Sequence, residues 1–298
     1  MLTAPALTTR QLSTARHESP AGRWEIVTAD LHPGLRDFVV QWCGFEEWTP
    51  GVSRRRQVPV GFVPLIIDFL PSYGVAGANA PEDFRLRRFG FGAGVHDQFC
   101  LTESTGLARG MQIDFTPIGA WLLLRQPMSD MTNLVVGLDD LFGADGVRLV
   151  DRLADAPGWD ARFDILEEFV LRRVLGARPP SPGVTWAWRQ LRRADGQVEI
   201  GRLAKELGCS RKHLVTQFHE QIGATPKTIA RVMRFQHAVR LFNAATATHP
   251  VSGADVAMEC GYFDQAHFIK DFRQLAGITP TEYLRQRIPQ LTTSIGAD

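Results

Sequence analysis

The stretch "GCSRKHLVTQFHEQIGATP", Gly208 to Pro226, returns further along as "GYFDQAHFIKDFRQLAGITP", Gly261 to Pro280. Ser210, His213, Leu214, Phe218, Gly223, Thr225 and Pro226 are matched by Asp264, His267, Phe268, Phe272, Gly277, Thr279 and Pro280, each 54 residues on. Just upstream, Ala204, Glu206 and Gly208 match Ala257, Glu259 and Gly261 at an offset of 53, so the second copy holds one extra turn residue. Each copy reads as a helix with a small residue at its crossing point, a glycine stop, a Ser or Asp cap, and a second helix with core residues four apart that ends at glycine. That is a helix-turn-helix unit. Its second helix leaves one face free for the polar side chains that a helix in a major groove uses to read base edges.

Between the copies lies "TPKTIARVMRFQHAVRLFNAA", where Thr225 caps and Pro226 takes the first helical position. Ile229, Val232, Met233, Gln236, Val239 and Leu241 line one side of it. At 1.5 Å per residue a helix of about 18 residues spans roughly 27 Å. Two major-groove faces on one side of B-DNA lie about 34 Å apart, so units fixed to such a rod can read successive turns of slightly bent DNA.

The remainder has a different texture. "LGARPPSPGV", Leu175 to Val184, interrupts helical patterning with three prolines and two glycines and marks a seam. Upstream, "WEIVTAD", "QVPVGFVPLIIDFL", "FRLRRFGFGAG" and "GLARGMQIDF" are short apolar or alternating runs bounded by turn residues, hence strands. From Pro117 the period becomes helical, clearest in "DARFDILEEFVLRRVL". The expected fold is α+β: residues 1–20 a flexible tail, 21–178 a β-rich domain closed by helices, 179–184 a linker, 185–288 an all-α domain of two helix-turn-helix units joined by the spacer, and 289–298 a tail.

The 298 residues carry a net charge of +1, which conceals an asymmetry. Arg189 to Arg287 holds 15 Lys and Arg against 9 Asp and Glu, whereas Met1 to Trp188 holds 18 against 22. A basic module behind an acidic one fits a polyanion partner for the former alone. No apolar run approaches a membrane helix, and the N-terminus lacks the apolar stretch of a secretory signal. Cys43, Cys100, Cys209 and Cys260 are scattered, which predicts reduced thiols and a cytoplasmic location.

At "LAKELGCSRKHLVTQF", "GATPKTIARVMRFQHAVRLF", "VAMECGYFDQAHF" and "GITPTEYLR" the chain resembles the bipartite helix-turn-helix domain of AraC-type transcription regulators. Upstream, "VPLIIDF" and "IDFTPIGAWLLLRQPMSDMTNLVVGLDDLFG" are similar to the N-terminal domain of one branch of that family. The resemblance implies a cupin-like β scaffold that senses a small-molecule effector, dimerises, or both, in a non-enzymatic regulator, activator or repressor, that binds double-stranded DNA and can contact RNA polymerase, with no cofactor. By position, the groove-facing residues fall on Arg211, Lys212, Val215 and Thr216 in the first unit and on Gln265, Ala266, His267 and Lys270 in the second. Gln265 suits an adenine edge, Lys270 guanine, and Val215 or Thr216 a thymine methyl. Family members often carry Arg where this chain has Thr216 and Lys270, which removes a bidentate donor from the first unit. Phosphate contacts are expected from Ser210, Lys227, Arg231 and Thr279. His213, beside core Leu214, reads as packed or capping.

Other groupings point to structure. "FGFGAGVHDQF" lacks dinucleotide-binding spacing, and His96, Asp97 and Cys100 have no distant metal-ligand partner, so this segment reads as a structural loop. Cys209 and Cys260 read as small packing residues in the turns; "SRRRQ", Ser53 to Gln57, as a solvated loop; Glu46 and Glu47 as surface. Trp24, Trp42, Phe45, Trp48, Phe62, Phe69 and Phe84 read as core, with a gathering around an apolar ligand as the alternative. The competing function is N-terminal chemistry on Cys43 or Cys100, brought to DNA by the C-terminal domain.

Overall fold

A computed structural model describes residues 10–245 and 251–286. The N-terminal half is an antiparallel sheet built from β1 (Leu12–Ser19), β2 (Gly22–Ala29), β3 (Val39–Gln57), β4 (Val63–Asp68), β5 (Tyr73–Gly77), β6 (Arg85–Leu86), β7 (Gly90–Ala93), β8 (Cys100–Phe115) and β9 (Val135–Gly137). Its order is β1-β2-β3-β8-β4-β7-β9, with β5 bonded to β8 and β6. The frame is the long β3·β8 pair, which breaks register between Trp48 and Val52. The far edge of β8 is shared: Gly110–Phe115 pairs with β4 and Cys100–Ser104 with β5.

Alternation along β8 separates two faces, because successive side chains of a strand point oppositely. Met111, Ile113 and Phe115 join Val27, Trp42, Leu65 and Ile67 in a core that packs on the helices. These are α1 (Pro117–Leu124), α2 (Leu138–Phe142), α3 (Ala144–Asp155) and α4 (Trp159–Leu175). Trp42 meets Phe163 of α4 with ring centroids 5.2 Å apart. On the opposite face, buried Asp114 accepts hydrogen bonds from Gln41 Nε2 at 2.7 Å and Gln112 Nε2 at 2.9 Å.

The C-terminal half is helical: α5 (Pro182–Arg193), α6 (Ile200–Glu206), α7 (Arg211–Ile222), α8 (Pro226–Ala244), α9 (Gly253–Glu259), α10 (Gln265–Ala276) and α11 (Pro280–Gln286). The α+β class and the helix-turn-helix, spacer, helix-turn-helix order are as expected. Several boundaries differ. Leu12–Ser19, read as tail, is strand β1, paired along its whole length with β2. The linker 179–184 contains the start of α5, capped by Ser181 Oγ accepting the Val184 N–H, because a proline at a first helical position starts a helix as readily as it breaks one. Ser53–Gln57 is the end of β3 and no loop, and Glu47 is buried against the Arg55 guanidinium. Residues 289–298 and the end of the predicted domain at 288 lie outside the described residues, as do residues 1–9 of the tail.

The seam in sequence is not a seam in packing. One apolar core runs from Val27 through Ile118 and Leu122 to Trp188, Leu214, Phe218 and Met233. The second unit has its own core of Phe235, Phe242, Phe268, Phe272, Leu275 and Tyr283, which Val58 joins from the N-terminal half. Among the described residues no helix is long and apolar enough to cross a membrane.

Candidate nucleic-acid interface

The two units are built alike. In the first, Leu203 and Ala204 of α6 are buried, and Ser210 Oγ accepts the His213 N–H at 3.1 Å to open α7. Leu214, Phe218 and Ile222 face inward, and Gly223 closes the helix at φ +91° with its N–H on His219 O. In the second, Val256 and Ala257 of α9 are buried and Asp264 Oδ1 accepts the His267 N–H at 2.7 Å. Phe268, Phe272 and Leu275 are buried, and Gly277 closes α10 at φ +73°. A left-handed closing residue favours glycine, so α7 and α10 both stop at a defined point.

What remains outside is the candidate reading face. On α7, Arg211, Lys212, Val215, Thr216 and His219 are exposed; on α10, Gln265, Ala266, Ile269, Lys270 and Arg273 are exposed. These sets coincide at the repeat offset of 54, with Val215 answered by Ile269 and His219 by Arg273. Val215 and Ile269 are each 36% exposed, so each face has a half-open aliphatic patch among polar groups, suited to a thymine methyl. Ile269 and Arg273 escaped the sequence reading, although the offset applied to Val215 points straight at Ile269.

The predicted site residues divide by what holds them. Lys212, Ala266 and Lys270 stand exposed. Arg211 lies 3.6 Å from Glu199, and Gln265 folds toward Gly253. Thr216 Oγ1 donates to Lys212 O at 3.1 Å, which engages its proton within the helix. His267 is turned edge-on to Tyr262 at 5.4 Å, with Nε2 3.9 Å from Asp271. His213 contributes its backbone N–H to the cap while its side chain is exposed.

Among the predicted phosphate ligands, Ser210 and Lys227 are exposed. Thr279 gives both its N–H and its hydroxyl to Glu282 Oε2 at 2.7 Å, and these bonds hold the Glu282 carboxyl below the usual carboxylate range. Arg231 is drawn into the protein: Nη2 meets Asp97 Oδ2 at 3.3 Å and Nη1 donates to Gln274 Oε1 at 3.0 Å. The loop that holds Asp97, structural by its sequence, thus also holds a cation of the spacer helix.

Spacer and turns lock the units together. Arg240 Nη2 on α8 donates to Asp195 Oδ1 at 2.6 Å, and Gln197 Nε2 donates to Glu259 O at 2.9 Å. The N-terminal half braces both units from behind: Thr132 Oγ1 donates to Gly223 O, and Arg56 Nη1 donates to Ala276 O at 3.2 Å. These contacts fall at the C-terminal ends of α7 and α10 and leave their N-terminal turns free.

On its other face the sheet encloses a small apolar cavity of about 90 Å³, lined by Phe45, Phe62, Ile66, Tyr73, Phe91 and Gln112 among others. Of the aromatic residues singled out in the sequence, Phe45 and Phe62 line it; Trp42 belongs to the core beneath the helices. Val58 belongs both to this cavity wall and to the second unit's core. Burial pushes the Cys43 thiol up to about 12 and Cys100 to about 11.

Residues 203–286, from α6 through α11, match a family of helix-turn-helix domains. The chain is 26% identical over 116 residues to the probable thc operon regulatory protein of Rhodococcus erythropolis, covering 38% of this chain and 34% of that protein. It is 25% identical over 134 residues to an uncharacterized HTH-type transcriptional regulator of Haemophilus influenzae, covering 42% and 44%. The matched region thus spans less than half the length of these curated relatives. ToxT of Vibrio cholerae O395 aligns with 84% of the chain at 14% identity and a TM-score of 0.43, covering 98% of that structure.

Proposed function

We propose that the chain is a sequence-specific DNA-binding transcription regulator in which α7 and α10 enter successive major grooves. The observation that carries this reading is the pair of capped helices, equivalent residue for residue, whose outward faces carry Arg211 and Lys212 in one unit and Gln265 and Lys270 in the other. Nothing in the packing of either unit requires cations and amides at those positions; base edges and phosphates do. α8, 19 residues and about 28 Å long, sets their separation.

In this reading the N-terminal domain binds a small effector in the cavity behind Val58. The lining holds no Lys, Arg, Asp or Glu, which suits an uncharged, mainly apolar molecule. A ligand pressing on Val58 acts on the second unit's core, which gives it different affinities for two domain arrangements and so a means of control. Pairing with a second copy, contact with RNA polymerase and a cytoplasmic setting complete the proposal. Thiol chemistry is the weaker reading, because burial holds the Cys43 and Cys100 thiols protonated near neutral pH. The test is selection of bound sequences from a random duplex library. Enrichment of a site with two base blocks about one helical turn apart supports the proposal; recovery of random sequence, or binding indifferent to salt, refutes it.

A further inference from the structure

Arg231 stands on the second turn of the spacer helix, where the reading above expects a cation for the DNA backbone, yet its charge is engaged elsewhere. Its side chain is 20% exposed, and Nη2 meets Asp97 Oδ2, from the loop between β7 and β8 of the N-terminal domain, at 3.3 Å. Asp97 is built to receive it. Asn133 Nδ2 donates to Asp97 Oδ1 at 3.0 Å, and Asn133 Oδ1 accepts the Asp97 N–H at 3.0 Å. Asn133 holds φ +56°, a conformation asparagine tolerates better than most residues, and its own N–H is tied to Val95 O. The carboxylate is thereby fixed with one oxygen directed at the spacer.

The contact is strong enough to hold and weak enough to open. It is a single hydrogen bond to a carboxylate whose other oxygen is engaged, and the Asp97 side chain remains 29% exposed. Arg231 Nε is buried without a partner, so the guanidinium has a donor that its docked position leaves unused. Beside it, Arg56 lies 4.2 Å above the Phe99 ring and bonds Ala276 O, so the loop carrying Asp97 sits against the end of α10.

We propose that Asp97, braced by Asn133, is a latch: with the N-terminal domain docked it withholds Arg231 from the phosphate backbone, and displacement of the loop returns that cation to DNA. The proposal rests on the C-terminal domain being a duplex-DNA binder. Phosphate contacts are indifferent to sequence, so the probe is a random-sequence duplex of about 30 base pairs, titrated with the full chain between about 50 and 200 mM KCl.

Asp97→Asn keeps the shape and the Asn133 bonds but removes the charge. It is expected to tighten binding and to steepen the slope of log affinity against log salt by about 0.9, one additional phosphate contact. Arg231→Ala is expected to abolish that gain and to cost less in the wild-type background than in Asp97→Asn. Asn133→Gly, which accepts the same backbone angle and loosens the carboxylate, is expected to move affinity in the same direction by less. Thermal unfolding midpoints identify any variant whose fold is lost. Unchanged affinity and slope in Asp97→Asn overturn the latch, as does a gain that survives Arg231→Ala, since that gain is mere added net charge. Wild-type protein that fails to bind the duplex in a salt-dependent way overturns the DNA reading itself, and the latch with it.

Discussion

Gln265 and Lys270 lie in the first two turns of α10, exposed, on either side of Phe268, which with Phe272 fixes the helix's rotation. Replacing either with alanine is expected to cost about 1 to 3 kcal/mol at a selected site and to relax preference at one base position, with little change on random duplex, as read by competition titration. Ile269→Ala is expected to weaken discrimination for thymine at a neighbouring position in the same assay. A different residue sets a pH response. Burial raises the Asp114 carboxyl to about 6 from its usual 3.8, despite the hydrogen bonds from Gln41 and Gln112 that lower it. The fold prefers the neutral acid, so the stability this group contributes is complete below pH about 4 and lost as pH rises through about 6. Asp114→Asn, neutral throughout, is expected to remove the loss of stability between about pH 4 and pH 6, so that its stability varies less with pH than that of the wild type, measured by denaturant unfolding across that range.

At the scale of the element, each reading helix is delimited by a cap at one end and a glycine at the other. Ser210→Ala and Asp264→Ala are each expected to lower stability by about 1 kcal/mol, because each removes the side-chain acceptor for an N–H of its first turn. Gly277→Ala is expected to do more. The added methyl sits in the left-handed region at φ +73° and 2.3 Å from Phe99 Cε1, so strain and collision combine where the N-terminal domain docks. The measurement is again denaturant unfolding, with DNA affinity at saturating stability as the second readout. A loss at Gly277 no larger than at Gly208, where a new Cβ meets nothing within 4 Å, would show that the Phe99 contact is unimportant.

In the proposed function the whole molecule acts through the separation that α8 imposes. With about 28 Å of helix between units and roughly 34 Å between successive major-groove faces, simultaneous engagement requires bent DNA and a fixed phase. Inserting about five base pairs between the two blocks of a selected site turns one block to the far side of the duplex. Affinity is then expected to fall to that of a single block, as measured by gel shift. A site that tolerates the insertion would mean that the units move independently, contrary to the Arg240–Asp195 and Gln197–Glu259 ties. The continuous core from Val27 to Met233 makes the N-terminal domain part of this frame, because packed side chains join the sheet to α7 without a break.

The helix-turn-helix units were legible in sequence because caps, stops and core spacing are short-range: Ser210 with His213, Leu214 with Phe218, Thr225 with Pro226 all act within one or two helical turns. Which positions of α7 and α10 stand exposed follows from the same periodicity, since Leu214, Phe218, Phe268 and Phe272 turn inward, and the repeat extends the exposed set to Ile269 and Arg273. Sequence by itself also determined that strands precede helices. Tertiary structure decided the rest. It made β1 a strand through β2, buried Glu47 against Arg55, and placed Asp97 on Arg231 across 134 positions of chain. Such contacts follow from how a sheet curls and where two domains meet, and no local pattern of residue types encodes that closure.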